Sequence, residues 1–372
     1  MAELFWPYIG GIEVITLCLA RALRERGHQV MVATSHGSLE LPDSDTLEGI
    51  PIRRFPFTQA LTEKRMDLFE VAYRGLLNLR REFAPEVVHQ TIGPAMLFHL
   101  RAQARQKIPA VLSFTNGWEE ADPQQQALVT RALLEFDHVV AVSDAVRQDI
   151  ARIAPAALEH TSVIYNAVDW PSLAPAPLPF QPAKLLCLGR ISEEKGFDVA
   201  LRAFARLAPQ HPSLRMQIAG DGPARPALET LSRELGIQDQ VDYSGWIQPE
   251  EVPAALNTAT VFVMPSRWRE AFGIVTLQAM QMARPVVATA VGGSPELVEE
   301  GVTGYLVPNE DDAALAIRIA GLLADPDRAA SMGLAGRERA QARFSLEQLL
   351  FRHEQLYSEL IRKRKCHSSL QD

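Results

Sequence analysis

The segment LCLGRISEEKGFDVAL places two cations, Arg190 and Lys195, between a strand-like run and a helix-like one, with Gly189 and Gly196 beside them. Two cations at the carboxyl end of a strand suit a diphosphate, since open α/β sheets bind their ligands at that edge. The segment MPSRWREAFGIVTLQAMQMARPVVAT repeats the layout. An apolar run ends at Pro265, a loop carries Arg269, Glu270, Phe272 and Gly273, and a helical run begins near Ile274. The free amides at such a helix start attract an anion. A carboxylate next to an anion site is self-defeating unless it contacts neutral hydroxyls, so Glu270 reads as an acceptor for the hydroxyls of a sugar carried on the diphosphate. The plain alternatives are exposed loop charges for Arg190 and Lys195 and a solvated acid for Glu270, and the density of the pattern favours chemistry. Gly10-Gly11 opens the apolar helical run from Ile12 to about Arg26, and approach to an anion and a simple turn are evenly matched there. At Gly292-Gly293-Ser294 capping chemistry suffices, and Glu296 reads as part of the cap.

These loops need strands and helices to hold them. HQVMVATS, EVVHQT, PAVLSFT, HVVAVS and SVIYNAV read as strands alternating with amphipathic helices, the pattern of βαβ units on a parallel sheet. The rhythm breaks at WPSLAPAPLPFQP, whose prolines fit neither helix nor strand, and restarts with KLLCLGR, LRMQIAG, QVDYSG, TVFVMP, PVVATA and TGYLVP. The expected organisation is α/β, with two Rossmann-like doubly wound domains facing each other. Residues 1–169 form the N-terminal, acceptor-side domain, 170–183 a proline-rich linker, and 184–344 the C-terminal, donor-side domain. Residues 345–372 form a helix that crosses back to the first domain, and a tail. LFWPYIGG enters its glycine turn with no strand before it, so the N-terminal domain is expected to lack its first strand.

Composition narrows the class. The chain has 372 residues, 47% of them apolar, and a net charge of −8, which disfavours a nucleic-acid partner because phosphate backbones need a basic face. No apolar run approaches the roughly eighteen residues that span a bilayer, and the start lacks a basic-then-apolar leader, so a cytoplasmic location is expected. Arg362-Lys363-Arg364-Lys365 is the one polybasic run, a candidate for peripheral contact with the inner membrane face as well as an ordinary solvated helix end. Cys18, Cys187 and Cys366 lack metal-ligand spacing, so neither a metal site nor a disulfide is expected.

GRISEEKGFD, AGDGP, GWIQPEEVP, PSRWREAFGIVTLQAM and VGGSPELVEEGVTGYLVP, in that order, resemble family 4 of the glycosyltransferases, of GT-B fold. Weaker echoes, PYIGGIE, LARALRERGHQVMVAT, PEVVH, VSDAVRQDI and VIYNAVD, extend the likeness over nearly the whole chain. The resemblance implies retaining, metal-independent and cofactor-free transfer of a sugar from a UDP- or GDP-sugar to an acceptor hydroxyl on a glycan, lipid or metabolite. It also implies roles. Arg190 and Lys195 hold the diphosphate, and the backbone around Phe272, Gly273, Ile274 and Val275 binds phosphate, approached by Gly10 and Gly11 from the other domain. Glu270 is the first glutamate of the family's Glu-x7-Glu motif and contacts sugar hydroxyls, while Trp246 and Ile247 lie where the base packs.

Three positions depart from the family pattern. Gln278 stands for the second glutamate, which binds ribose hydroxyls. Exchanging a charge-assisted for a neutral hydrogen bond there weakens donor binding by about 1 kcal/mol. Asn116, followed by Gly117, replaces a histidine near the donor sugar and cannot become cationic. The short start leaves the Gly10-Gly11 loop less anchored. Two other readings share the architecture: a nucleotide-sugar epimerase, which needs no acceptor, and a catalytically impaired nucleotide-sugar-binding protein. A dinucleotide oxidoreductase is disfavoured because no strand leads into G-x-G-x-x-G with an acid about twenty residues on.

Overall fold

The computed structural model describes residues 1–115 and 123–368, so Asn116 lies outside the described residues. The chain divides into two compact units, residues 1–168 with 346–372, and residues 169–345.

In the first unit the strands are β1 (Val32–Ser35), β2 (Ser44–Leu47), β3 (Ile50–Phe55), β4 (Val88–Thr91), β5 (Ala110–Phe114), β6 (His138–Ala141) and β7 (Thr161–Val163). The helices among them are α1 (Gly11–Glu25), α2 (Phe57–Thr62), α3 (Met66–Phe83), α4 (Met96–Gln103), α5 (Pro123–Glu135) and α6 (Asp144–Ile153). The pairing orders are β1-β3-β2 and β4-β5-β6-β7, parallel except for β2 against β3. β5 is buried at all five positions, as a parallel strand covered on both faces must be.

The β2–β3 hairpin has no counterpart in the sequence reading. Ile50, Ile52 and Arg54 point inward along β3, and the buried Arg54 guanidinium donates to the carbonyls of Pro42 at 3.0 Å and Trp6 at 2.8 Å. A charged residue facing the core hides the alternation that marks a half-buried strand.

The expected lack of a first strand takes a specific form. Ala2 donates to the Ala33 carbonyl at 3.0 Å, Ser35 to that of Glu3 at 3.1 Å, and Thr91 to that of Met1 at 3.0 Å. Met1–Glu3 therefore join β1 to β4, too briefly to count as a strand.

The second unit contains β8 (Lys184–Leu188), β9 (Arg215–Ala219), β10 (Val241–Gly245), β11 (Val261–Met264), β12 (Val286–Thr289) and β13 (Gly304–Val307). Its helices are α7 (Phe197–Leu207), α8 (Arg225–Glu234), α9 (Val252–Asn257), α10 (Ile274–Gln281), α11 (Ser294–Leu297), α12 (Asp312–Ala324) and α13 (Pro326–Arg343). The strands form one parallel sheet in the order β10-β9-β8-β11-β12-β13. Phe197, Leu201, Phe204 and Leu207 form the apolar stripe of α7 and are buried in the core with Ile218 and Val263. The proline-rich segment is fixed to this unit. Asn257 bonds the Ala176 amide and the Ala174 carbonyl, each at 2.9 Å, and the buried Arg284 guanidinium donates to the carbonyls of Ala176 and Ala259.

The last helix, α14 (Leu346–Ser368), belongs to the first unit. Leu349, Leu356 and Tyr357 pack with Leu19 and Leu23 of α1 in one cluster, and His28 bonds Glu354 at 2.9 Å.

Candidate active site

In the second unit β8 comes first in the chain yet lies in the middle of the sheet. From it β9 and β10 continue to one side, while β11, β12 and β13 lie on the other. The loops leaving β8 and β11 thus flank the point where strand order reverses, the place where doubly wound sheets open a ligand crevice.

The first loop carries Arg190 and Lys195, the second Ser266 to Gly273. Lys195 Nζ donates to Glu270 Oε1 at 2.5 Å, and Ser266 Oγ donates to the same oxygen at 2.7 Å. The side chains of Lys195 and Glu270 are 24% and 12% exposed, open enough to meet a ligand and shielded enough for charge to matter. An ammonium has three donors and a carboxylate about four acceptor sites, so both keep capacity for a ligand.

The two loops are tied together. Arg267 grips Asp198 with both terminal nitrogens at 2.6 Å and Glu310 through Nε at 2.6 Å. Although burial works to raise the Asp198 pKa, the bonds to Arg267 and Arg202 outweigh it and hold the carboxyl below its usual range. The Arg267 and Trp268 amides donate to the Glu194 carbonyl at 2.9 and 3.2 Å. Gly196, at φ +64°, lies where a Cβ would stand 2.1 Å from the Pro265 carbonyl oxygen, so only glycine lets the loops approach this closely. From β12, Thr289 Oγ1 donates to the Ser266 carbonyl at 2.6 Å.

Glu270 is also held through its backbone. The Gly293 amide donates to its carbonyl at 2.7 Å, and a Cβ on Gly292, at φ +53°, would stand 2.1 Å from that oxygen. The reading of Gly292-Gly293 as simple capping is thereby corrected. α11 makes no side-chain cap, and the glycines serve as the surface against which the Glu270 backbone rests.

The other expected residues fall into place unevenly. Arg190 is exposed beside Glu194. The Glu194 carboxyl is lowered although its partial burial works the other way, through bonds to Ser192 and its own amide and the charges of Lys195 and Arg190. Gly273 is the left-handed N-cap of α10 and no side chain caps that helix, which leaves the Ile274 and Val275 amides for a ligand. The Phe272 ring is 2% exposed and meets Phe344 edge-on at 5.6 Å, which leaves its backbone, as expected from the sequence, to border the loop. Gln278 is half-buried on α10, and Trp246, 51% exposed, follows the edge strand β10 with Ile247 beside it. Gly10 and Gly11 open α1 in the first unit, where the Glu13 carboxylate folds over Gly10 and places negative charge at that helix start. Ser266, Asp198 and Arg267 escaped the sequence reading, because their roles rest on contacts with residues far along the chain.

Two family models cover most of the chain. Residues 173–339 match the glycosyl transferases group 1, and residues 9–170 match glycosyltransferase family 4. The chain belongs to the family 4, group 1 glycosyltransferases. A GDP-mannose-dependent alpha-(1-6)-phosphatidylinositol monomannoside mannosyltransferase of Mycolicibacterium smegmatis is 35% identical over 64% of this chain and 66% of its own length. Glycogen synthase of Mycobacterium tuberculosis is 28% identical over 95% of this chain and 92% of its own. Sucrose-phosphate synthase from Thermosynechococcus elongatus has a TM-score of 0.85 at 24% identity, over 97% of this chain and 95% of that one. Anabaena HepE, in complex with UDP-glucose, has a TM-score of 0.79 at 21% identity, over 96% of this chain and 100% of that one. The structural likenesses fix the fold of this glycosyltransferase as GT-B. Among the described residues no cluster of three His, Cys, Asp or Glu side chains is placed to hold a metal, and no helix is long and apolar enough to cross a membrane.

Proposed function

We propose that this chain transfers a sugar, with retention of configuration, from a UDP- or GDP-linked donor to an acceptor hydroxyl, without a bound metal. The observation that carries the reading is the Lys195–Glu270 pair at the point where strand order reverses, beside the uncapped start of α10. The names of similar proteins support the donor class: the mycobacterial relative is GDP-mannose-dependent, and HepE was crystallised with UDP-glucose.

In this reading Arg190, Lys195 and the amides of Ile274 and Val275 hold the diphosphate and take up the charge that develops as the bond from the anomeric carbon to the phosphate oxygen breaks. Glu270 accepts from the sugar hydroxyls, Gln278 bonds the ribose, and Trp246 and Ile247 pack on the base. The acceptor oxygen bonds to the anomeric carbon on the face the diphosphate leaves, and its proton passes to a donor phosphate oxygen.

Thermal unfolding with UDP, GDP and a panel of their sugars tests this without a known acceptor. A ligand at a hundred times its dissociation constant stabilises by about 2.7 kcal/mol. One nucleotide series should stabilise the protein, and Lys195→Ala should abolish that shift. Glu270→Ala should keep the shift with the free nucleotide and lose the increment contributed by the sugar. No shift with any nucleotide, or an unchanged sugar increment in Glu270→Ala, overturns the assignment.

A further inference from the structure

The chain passes between its two units twice, after Val168 and after Ser345. Trp170 is the second residue of the second unit and Phe344 its last but one, and both are fastened to α13. The Arg337 guanidinium of that helix lies over the Trp170 ring, 4.6 Å from its centroid, and Phe344 is the C-cap. α13 also runs along α10 in the opposite sense. A Cβ on Gly333 would stand 2.1 Å from the carbonyl oxygen of Ala283, just past the end of α10. Arg337 donates to the Gln281 carbonyl, and the Phe344 ring meets Phe272 just ahead of the α10 start. Arg337 thus holds Trp170 and the end of α10 at once. Phe272 is enclosed on two sides: its ring lies against Phe344, and a Cβ on Gly293 would stand 3.0 Å from its Cα. The next residue is Gly273, the left-handed N-cap from which the Ile274 and Val275 amides follow. Arg339 braces the same region from α13, donating to the Leu297 and Glu296 carbonyls of α11 at 2.8 and 3.0 Å.

We propose that Phe344 and Trp170 are positioning residues that couple the two passages of the chain to the start of α10, with α13 as the splint between them. The proposal rests on the reading of that start as the place where the donor diphosphate is held. Phe344 acts through Phe272 on the turn at Gly273, and Trp170 acts through Arg337 on the far end of α10. A packed interior transmits a displacement rather than absorbing it, so a shifted or shortened Phe344 side chain moves Phe272 and the amides that follow it. The coupling is reciprocal by linkage: if Phe344 sets the amides that hold a diphosphate, a bound diphosphate holds Phe344 in return. A ring that only fills the core makes a different forecast, a loss of stability with no change in affinity.

The test compares the full chain with Phe344→Leu, Trp170→Ala and, as the control for an ordinary core ring, Phe204→Leu on α7, using UDP and GDP as probes. Urea unfolding, calorimetric dissociation constants and hydrogen exchange are read on all four. The informative amides are those of Leu277, Gly293 and Phe344, which donate to the carbonyls of Gly273, Glu270 and Ala340 at 3.1, 2.7 and 3.0 Å. Phe344→Leu and Phe204→Leu should lose similar stability, since both rings are buried. Phe344→Leu should also raise the dissociation constant of the bound nucleotide about tenfold and speed exchange at Leu277 and Gly293. Trp170→Ala should raise that constant about threefold, whereas Phe204→Leu should leave affinity and exchange within about twofold of the parent. In the parent, bound nucleotide should slow exchange at Phe344. Unchanged affinity in Phe344→Leu, or an equal loss in Phe204→Leu, overturns the proposal. If Phe344→Leu does not fold, Trp170→Ala decides, and unchanged affinity there overturns it. A parent that binds neither nucleotide defeats the diphosphate reading instead; exchange at Leu277 and Gly293 then decides whether Phe344 positions the loop, and equal rates in Phe344→Leu and Phe204→Leu overturn that.

Discussion

Gly292 offers a sharp test of how Glu270 is positioned. A Cβ there would stand 2.1 Å from the Glu270 carbonyl oxygen and 2.8 Å from its carbonyl carbon and amide nitrogen, all backbone atoms with no side-chain freedom to give way. Restoring an ordinary contact separation moves the Glu270 main chain by about 1 Å, and a displacement of that size at a reacting centre costs about a hundredfold in rate. Alanine at φ +53° also carries a left-handed penalty of about 1–2 kcal/mol, independent of the clash.

Two other glycines separate the effects. Gly236, at φ +69°, and Gly301, at φ +73°, have nothing within 4 Å of an added Cβ. Gly236→Ala and Gly301→Ala should therefore lower stability by the backbone penalty, about 1–2 kcal/mol, and leave turnover within about twofold of the parent. Gly292→Ala should lose at least as much stability and, in addition, about a hundredfold in kcat/KM for donor turnover. Urea unfolding of all three variants gives the stability term, and donor hydrolysis or transfer gives the other. If Gly292→Ala turns over like the two controls, the Glu270 backbone does not depend on this contact and the reasoning fails.

Two further outcomes concern stability. Arg284 is 1% exposed and no described carboxylate pairs with it; its guanidinium serves the carbonyls of Met282, Ala259 and Ala176, and burial lowers its pKa to about 10. Arg284→Met keeps much of the stem volume but strips those carbonyls of donors, so urea unfolding should show a loss of about 2–4 kcal/mol and proteases should cut faster between residues 170 and 183; an unchanged midpoint refutes it. Burial also lowers the His353 pKa to about 4, so between pH 6.5 and 4 the unfolded chain binds the proton that the folded chain refuses. The His353 contribution to stability is therefore full above pH 6.5 and is lost with acidification, by about 2 kcal/mol at pH 5, and His89, lowered by burial and by His353, adds to the loss. Urea midpoints at pH 7.5, 6 and 5 check this before most carboxylates titrate, and a flat profile would sink the idea.

The sequence exposes those parts of the fold that depend on local pattern. Runs such as VFVM and VVAT, buried at every position in β11 and β12, read directly as covered parallel strands. SDTLEGIPIRRF does not read as a hairpin, because it contains a proline and turns Arg54 inward to bond carbonyls that a pattern of residue types cannot show. The linker prolines correctly exclude helix and strand, yet nothing local reveals that Asn257 and Arg284 pin the segment down. At the site, Arg190, Lys195 and Glu270 stand out because charge near a glycine loop is visible by type. Gly292 is visible only as glycine, and its contact with Glu270 exists in three dimensions alone. Phe272 is legible only by its place in the loop, and the packing of its ring on Phe344 in the core is visible in three dimensions alone.

The geometry also resolves a difficulty that residue types raise. In the proposed reading, a carboxylate beside the N-terminus of α10 and two cations should repel the diphosphate those groups would hold. In the structure Glu270 is not a bare charge, because its Oε1 is taken by Lys195 at 2.5 Å and Ser266 at 2.7 Å. The ammonium at that oxygen screens the carboxylate and still has donors left for a phosphate, while Oε2 remains to accept from hydroxyls. Lys195 and Glu270 lie 75 positions apart in the chain, and their contact depends on two loops held in register by Arg267, Thr289 and the Glu194 carbonyl. Because that scaffold fixes the backbone on both sides, a ligand meets an arrangement already set, and most of its binding energy can go to phosphate and hydroxyl contacts rather than to ordering the loops.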